Sequence, residues 1–200
     1  MQIKSATFLL SSPDLHGCPD SPFSEFAFIG RSNVGKSSMI NMLTNKRDLA
    51  KVSATPGKTK LINFFTINDS WSLVDLPGYG YAKVAVRHRT EFNKFVADYL
   101  THRENLRCTF VLIDSRLTPQ PIDLEFLTWL AGAGVPFVLV FTKTDKLKSN
   151  ALQKNMTAFL EALSTSAGVT PQTFTSSAKE RKGRSEILGF IDAALAGAVN

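Results

Sequence analysis

Short runs of consecutive apolar residues alternate along this chain with stretches in which apolar residues recur every three or four positions. These runs, several of them interrupted or flanked by a polar residue, predict strands over residues 6–10, 26–29, 61–67, 71–75, 109–114 and 136–141, and Thr173-Phe174-Thr175 is predicted as a further short strand. The periodic stretches predict amphipathic helices within residues 38–44, 92–100, 122–130, 152–163 and 187–195. Apolar strands that alternate with helices are typical of a mostly parallel sheet with helices on both faces, so the pattern predicts an α/β fold.

One pair of neighbouring strands is predicted to be antiparallel, because only the turn Asn68-Asp69-Ser70 separates residues 61–67 from residues 71–75. The sheet is therefore expected to be mixed. No internal repeat or linker divides the chain, so residues 1–200 are predicted to form a single domain, with residues 1–24 as an N-terminal strand and loop extension. Ligands of such sheets bind at the carboxyl ends of strands, and the polar motifs of this chain directly follow strands.

Residues 30–37 lie between a predicted strand and a predicted helix, and they match the phosphate-binding pattern G-x-x-x-x-G-K-S/T. Its glycines let the backbone approach an oxyanion closely, and the N–H groups of the loop form an anion-binding nest. Lys36 supplies a point charge for the outer phosphates, and Ser37 a hydroxyl for the Mg²⁺ of a nucleoside triphosphate. The predicted phosphate site comprises Gly30, Arg31, Ser32, Asn33, Val34, Gly35, Lys36 and Ser37.

Residues 75–78 have the form D-x-x-G and follow the second strand of the predicted hairpin. Asp75 can hold Mg²⁺, commonly through a water molecule, and the N–H of Gly78 can bond to the outermost phosphate. Leu76 and Pro77 complete this segment of the predicted nucleotide site.

Two further segments follow predicted strands and suit a guanine base. Thr142-Lys143-Thr144-Asp145 has the form N/T-K-x-D, in which the Asp145 carboxylate accepts the N1–H and 2-amino donors of guanine. Adenine lacks both donors, so a buried carboxylate left unpaired would reject it. Lys143 can lay its aliphatic stem along the base. Backbone N–H groups of Ser176-Ser177-Ala178 can bond to the guanine O6.

Composition and charge limit the cellular settings and partners that suit this chain. With a net charge of +6 and a pI of about 9.4, the chain suits a polyanionic partner such as nucleic acid. No apolar run approaches the roughly 20 residues that a membrane span needs, and a secretory signal pattern is missing. The two cysteines, Cys18 and Cys108, have no metal-ligand spacing. These features favour a cytoplasmic protein without membrane association.

Five segments, GRSNVGKS, TPGKT, DLPGYGYA, TKTD and SSA, occur in the order found in small GTPases. They closely resemble the EngB family (also called YihA or YsxC), bacterial GTPases tied to assembly of the large ribosomal subunit. The resemblance extends from about Lys4 to the last helix and implies a Ras-like P-loop NTPase fold. It also implies a switch that is required for normal growth and cell division and that hydrolyses GTP to GDP, with Lys36, Thr59 and Gly78 as catalytic residues.

Many GTPases place a water-orienting Gln directly after the glycine of D-x-x-G. Tyr79, which occupies that position in this chain, cannot reproduce the donor and acceptor of an amide, so slow hydrolysis is expected.

The residues alone do not choose between Thr55 and Thr59 as the threonine that closes over the γ-phosphate and binds Mg²⁺. The resemblance selects Thr59, which matches the family's P-G-x-T pattern, so that Ser37, Thr59 and Asp75 form the metal site. It further implies that the nucleotide is lined by Gly57, Lys58, Thr59, Lys60 and Leu61. Related translation-associated GTPases use the residue at the place of Asn33 to hold K⁺, so K⁺ is a further expected cofactor.

The expected partner is the large ribosomal subunit and its RNA, bound by a monomer that binds no DNA. Two predicted mobile loops, residues 51–60 and 77–89, carry basic residues suited to docking on ribosomal RNA in the GTP state: Lys51, Lys58, Lys60, Lys83, Arg87 and Arg89. Lys179, Arg181, Lys182 and Arg184 form a second basic group.

Three alternatives remain open from the residues. The protein could be a GTPase switch with another RNA or protein partner, or an adenine-nucleotide ATPase or kinase built on the same loop. It could also act through an attached RNA-binding domain, although only 22 residues follow Ala178.

Overall fold

The computed structural model describes residues 1–50, 61–79 and 86–198, and in the last of these ranges it describes side chains from residue 94 onward. The strands are β1 (Ala6–Ser12), β2 (Ser24–Gly30), β3 (Ile62–Ile67), β4 (Trp71–Asp75), β5 (Leu106–Asp114), β6 (Phe137–Thr142) and β7 (Thr173–Thr175). The helices are α1 (Lys36–Thr44), α2 (Val86–His102), α3 (Pro121–Gly132), α4 (Ser149–Ala167) and α5 (Arg184–Leu195). Every strand and helix that the sequence predicts is present, with its ends shifted by a few residues.

All seven strands form one sheet in the order β1-β3-β4-β2-β5-β6-β7. β2 pairs in parallel with β4 and β5, and parallel pairing continues through β6 to β7. β3 is antiparallel to both β4 and β1, as the predicted hairpin requires. The mixed sheet of an α/β Ras-like fold is thus confirmed. The carboxyl ends of β2, β4, β6 and β7 lie along one edge of it.

The sheet is covered on both faces, because successive residues of a strand point to opposite sides. Phe26 and Phe28 of β2 belong to the core that α1 and α5 complete. Ala27 and Ile29, the alternate residues, belong to the core that α2, α3 and α4 complete. All four side chains are fully buried. The strand that leads into the phosphate loop is therefore packed from both sides.

A buried ion pair at the amino end of β2 joins segments that are far apart in sequence. The fully buried carboxylate of Glu25 accepts hydrogen bonds from Arg103 Nη2 at 2.6 Å and from Tyr99 Oη at 2.7 Å. Arg103 also donates to the carbonyl of Pro19 at 2.6 Å. Hydrogen bonding to Glu25 raises the pKa of Arg103, which keeps the guanidinium charged. The pair ties α2 and the N-terminal loop to the end of β2 that is remote from Gly30.

The start of α2 differs from the prediction of a basic loop over residues 77–89. The helix begins at Val86, so Arg87 and Arg89 belong to its first turn. No proline or glycine follows Gly80 before the apolar helical positions, so the sequence contains no residue that would delay the helix. Lys51, Lys58, Lys60 and Lys83 lie outside the described residues. In the described part of the chain, no helix is both long and apolar enough to span a bilayer.

Candidate nucleotide-binding site

The phosphate loop connects the carboxyl end of β2 to the first residue of α1. It turns sharply because Asn33 and Gly35 have left-handed backbone conformations, with φ of 64° and 107°. A Cβ atom added at Gly30 would lie 2.8 Å from the carbonyl oxygen of Leu112 in β5, so a larger residue does not fit there. The loop therefore presents its backbone at the N-terminus of α1, where N–H groups without helical partners and the helix dipole favour an anion.

The D-x-x-G segment packs directly against the phosphate loop. A Cβ atom added at Gly78 would lie 2.6 Å from the carbonyl oxygen of Gly30 and 3.4 Å from the nitrogen of Ser32. Leu76 is fully buried and donates its N–H to the carbonyl of Phe28 at 3.0 Å. Leu76 therefore anchors the segment to β2, and the absence of a side chain at Gly78 lets the two backbones meet.

Lys36 and Asp75 meet at the centre of the site. The Lys36 ammonium forms a hydrogen-bonded ion pair with Asp75 Oδ1, and the two side chains are 12% and 6% exposed. Ser37 is the second residue of α1, directly after Lys36. A serine hydroxyl and a carboxylate are oxygen donors of the kind that Mg²⁺ prefers, and an ammonium matches a phosphate. These residues therefore fit a magnesium–nucleotide complex.

Part of the predicted site is not covered by the structure. Thr55, Gly57, Lys58, Thr59 and Lys60 lie outside the described residues. The choice of Thr59 over Thr55 therefore stays a prediction. Leu61 is described, lies directly before β3 and is 38% exposed.

Two side chains tie the predicted base-reading motif to the phosphate loop. Thr142, the last residue of β6, donates its buried hydroxyl to the carbonyl of Val34 at 2.7 Å. Lys143 donates from Nζ to the carbonyl of Asn33 at 2.5 Å. A Cβ atom added at Gly35 would lie 3.8 Å from Lys143 Cε, so the aliphatic stem of Lys143 crosses the phosphate loop. The structure thus brings the two motifs into direct contact.

Asp145 is held by the serine segment that follows β7. Ser177 donates its hydroxyl to Asp145 Oδ1 at 2.8 Å, and this hydrogen bond lowers the pKa of the carboxyl group. The Asp145 side chain is 7% exposed, and its Oδ2 lies 3.6 Å from Lys146 Nζ. Thr144, between the two motif residues Lys143 and Asp145, is buried. Asp145 is therefore an ionised hydrogen-bond acceptor in a fixed orientation.

The serine segment corrects one prediction. The N–H of Ser176 bonds to the carbonyl of Phe141 at 2.8 Å, because the pairing of β7 with β6 continues past Thr175. The N–H of Ser177 bonds to the carbonyl of Lys182 at 3.2 Å in a short antiparallel bridge. These two N–H groups are therefore engaged within the protein. Ala178 is left as the candidate backbone donor to a guanine O6.

The order of these segments along one sheet edge matches a known family. A family model described as a 50S ribosome-binding GTPase matches residues 25–143. A probable GTP-binding protein EngB from Bacteroides thetaiotaomicron is 53% identical over 192 residues, which cover 96% of this chain and 95% of that protein. The chain belongs to the EngB family of GTPases. The resemblance of its five motifs to that family is thereby confirmed.

Solved structures share the fold of this EngB-family chain. A crystal structure of a probable GTP-binding protein engB aligns with a TM-score of 0.69 at 22% identity, covering 87% of this chain and 100% of that one. The structure of NFeoB from S. thermophilus bound to GDP·AlF4⁻ and K⁺ aligns with a TM-score of 0.61 at 21% identity, covering 89% of this chain and 64% of that one. Because both sequence identities are below 25%, these two structures show that the fold is shared and nothing further.

Asp114 is a site residue of this EngB-family GTPase that the sequence motifs do not single out. It ends β5 and accepts hydrogen bonds from Lys143 Nζ at 2.8 Å and from Arg116 Nη2 at 2.7 Å. Burial alone would raise the pKa of Asp114, but the hydrogen bonds from Arg116 and Lys143 outweigh it and lower the pKa to about 2. Its position at the end of an apolar strand, on the edge that carries the motifs, is the signal that could have found it. Ionised Asp114 fixes the lysine of the base-reading motif.

Tyr79, at the position of the water-orienting Gln, has a buried side chain. Its ring stacks on Phe126 of α3, with the ring centroids 4.2 Å apart, and it is 7% exposed. Burial and the nearby negative charge of Asp123 raise the pKa of Tyr79 well above its ordinary value, so the hydroxyl is neutral. Asp123 also lies 3.9 Å from Arg31 Nη1 of the phosphate loop. Tyr79 therefore serves as a packing residue between the D-x-x-G segment and α3.

Proposed function

We propose that this protein is a guanine-nucleotide switch that binds GTP, hydrolyses it slowly to GDP, and acts in assembly of the large ribosomal subunit. The observation that carries the proposal is the fixed, ionised carboxylate of Asp145, oriented by the Ser177 hydroxyl at 2.8 Å. A carboxylate held in this way matches the paired N1–H and 2-amino donors of guanine. Adenine would leave it unpaired, which argues against an ATPase or kinase.

The phosphate end of the nucleotide would be bound by the loop between β2 and α1. Lys36, which pairs with Asp75 in the structure, would turn its ammonium to the β- and γ-phosphates. Ser37 and Asp75 would hold Mg²⁺ together with Thr59, and the bound ion would neutralise charge that develops on the phosphates. The N–H of Gly78, kept close to the loop backbone, would bond to the γ-phosphate. The D-x-x-G segment would in this way sense the difference between GTP and GDP.

Hydrolysis by the isolated protein is expected to be slow. Tyr79 is packed against Phe126, so it cannot orient the attacking water as a glutamine does. Arg31, the arginine of the phosphate loop, faces Asp123. Because Tyr79 stands in the place of the water-orienting amide and Arg31 is directed at Asp123, the turnover rate should fall in the range of about 10⁻⁴–10⁻² s⁻¹. A slow cycle of this kind suits a switch that a partner resets.

Potassium is proposed to raise this rate through Asn33. Asn33 lies in the phosphate loop with φ of 64°, and its backbone carbonyl accepts a hydrogen bond from Lys143. NFeoB, which shares the fold, has been solved with GDP·AlF4⁻ and K⁺. Single-turnover hydrolysis should be at least roughly tenfold faster in KCl than in NaCl. Asn33→Gly keeps the left-handed backbone accessible but removes the amide, and it should abolish the difference. A rate above about 1 s⁻¹ in NaCl without ribosomes would contradict the proposal.

The proposed partner is the large ribosomal subunit, which the protein would meet in the cytoplasm as a monomer. Support comes from the family model, which is described as a 50S ribosome-binding GTPase, and from the net charge of +6, which suits RNA phosphates. The resemblance to EngB proteins adds the expectation that cells need this step for normal growth and division.

Co-sedimentation with purified large subunits tests this proposal. Wild type should pellet with the subunit in a non-hydrolysable GTP analogue and release in GDP. Asp145→Asn serves as the matched control, because an amide suits xanthine, and it should pellet only with the xanthosine analogue. Equal binding of wild type in both nucleotide states would remove the switch, and binding of Asp145→Asn without xanthosine nucleotide would contradict nucleotide control.

A further inference from the structure

Two basic segments that are far apart in sequence meet at one place on the surface. The segment after α1 carries Lys46 and Arg47, and the loop between β7 and α5 carries Lys179, Arg181 and Lys182. Arg181 Nη2 donates to Asn45 Oδ1 at 2.9 Å, a bond between residues separated by 136 positions. We call Lys46, Arg47, Lys179, Arg181 and Lys182 the α1–α5 basic surface.

The framework beneath this surface is fixed. Arg184, the first residue of α5, donates from Nε to the carbonyls of Met42 and Leu43 at 3.0 and 3.1 Å. These carbonyls belong to the last turn of α1, where a cation is favoured by the helix dipole. The N–H of Lys182 bonds to the carbonyl of Ser177 at 3.0 Å. The two segments therefore form one continuous unit, and Ser177 connects this unit to the base-reading carboxylate of Asp145.

The charge of the surface is largely uncompensated. All five of its side chains are exposed. Asp48 and Glu180 are the acidic residues within the two segments. Among the residues that the structure describes, none forms an ion pair with Lys46, Arg47, Lys179 or Lys182. Such a surface attracts a polyanion.

We propose that the α1–α5 basic surface binds the phosphate backbone of RNA. The large exposed apolar side chains of the described residues are Phe8, Leu9, Leu61, Leu117 and Trp129, and none of them lies within the surface. A membrane-binding face or a protein interface would present exposed apolar side chains that become buried in the contact, whereas nucleic-acid-binding surfaces are polar and positively charged. The inference rests on the proposed ribosomal function and names the face of the protein that would contact RNA. Because the Ser177 hydroxyl bonds to Asp145, this RNA contact would lie next to the proposed guanine site.

A salt titration with matched charge variants tests the inference. The probe is a short fluorescein-labelled RNA duplex, and binding is followed by anisotropy with a GTP analogue present. The surface variants are K46Q/R47Q and K179Q/K182Q. The control is K148Q/K154Q, which removes the same charge from two exposed positions, one directly before α4 and one within it. Unchanged affinity for fluorescent GDP in K46Q/R47Q shows that the variant is folded.

Each surface variant should bind the duplex roughly tenfold or more weakly at moderate salt, and the slope of log K against log salt should fall by about 2. The control should change neither value. Equal losses in surface and control variants, or binding of wild type to anionic lipid vesicles but not to the duplex, would overturn the inference. If either of these outcomes occurs while binding to the large subunit still follows the nucleotide state, only the assignment of RNA binding to the α1–α5 basic surface would be wrong. Nucleotide-independent subunit binding would instead remove the proposed switch.

Discussion

Gly78 approaches the phosphate loop so closely that a Cβ atom at this position would lie 2.6 Å from the carbonyl oxygen of Gly30. The contact joins the two segments proposed to hold the γ-phosphate. Because the neighbouring atom belongs to the backbone of a strand end that is packed on both faces, it cannot move aside as a flexible side chain would. The spacing between the D-x-x-G segment and the phosphate loop is therefore set by the absence of a side chain.

Replacing Gly78 with Ala should push the D-x-x-G segment away from the phosphate loop. We expect single-turnover GTP hydrolysis to fall by roughly tenfold or more, with a loss of stability of about 1–3 kcal/mol from overpacking. Gly189→Ala is the matched control, because a Cβ atom at Gly189 in α5 meets nothing within 4 Å. That change should stabilise the helix by about 0.5–1 kcal/mol. A Gly78→Ala protein that hydrolyses GTP at the wild-type rate would refute the argument.

Thr142→Val tests the tie between β6 and the phosphate loop. The Thr142 hydroxyl donates to the carbonyls of Val34 at 2.7 Å and Ile113 at 3.2 Å. Valine has no hydroxyl, so both carbonyls would lose this donor. We expect a loss of about 1–3 kcal/mol in the free energy of urea unfolding, together with weaker GDP binding. Thr165→Val makes the same exchange at an exposed position of α4 and should change stability by less than about 0.5 kcal/mol. Equal effects of the two changes would contradict the structural role of Thr142.

Arg103→Met tests the buried ion pair at the other end of β2. It would leave the carboxylate of Glu25 buried without its cationic partner, which should cost about 3–5 kcal/mol in urea unfolding. GDP affinity should stay unchanged in the folded fraction, because this pair lies at the end of β2 remote from Gly30. Arg107→Met, at an exposed position with one hydrogen bond to Ser24, should have little effect on stability. A large loss of GDP affinity in folded Arg103→Met would show that the two ends are coupled.

Asp114 should contribute to the acid sensitivity of the protein. Its pKa is about 2 in the folded state against 3.8 for the ordinary group, so the ionised form is favoured by folding. The resulting stabilisation is present above the unfolded pKa and is lost as the pH falls from about 4 towards 2. The stability difference between wild type and Asp114→Asn should be constant from about pH 5 to 7 and shrink below about pH 4. A difference that is independent of pH throughout would show that the charge of Asp114 is not involved.

The order of strands and helices and the main motifs could be predicted from sequence because both are local signals. Runs such as residues 110–113 are apolar throughout because both faces of their strand are buried, and the spacing of Gly30, Gly35 and Lys36 is dictated by the phosphate loop itself. The pairing of Glu25 with Arg103 could not be predicted, because it joins residues 78 positions apart that only the folded sheet brings together. The hydrogen bond between Lys143 and Asp114 and the bond of the Ser176 N–H to β6 could not be predicted for the same reason.

The central claim is that the Asp145 carboxylate selects guanine, and calorimetric titration with diphosphates in the presence of Mg²⁺ tests it most directly. Wild type should release or absorb heat with GDP and show none with ADP or XDP. Asp145→Asn should lose GDP binding and gain XDP binding, because its amide can donate to the 2-oxo group of xanthine. Wild type that binds ADP as tightly as GDP, or that is folded and gives no heat with either guanosine phosphate, would contradict the account.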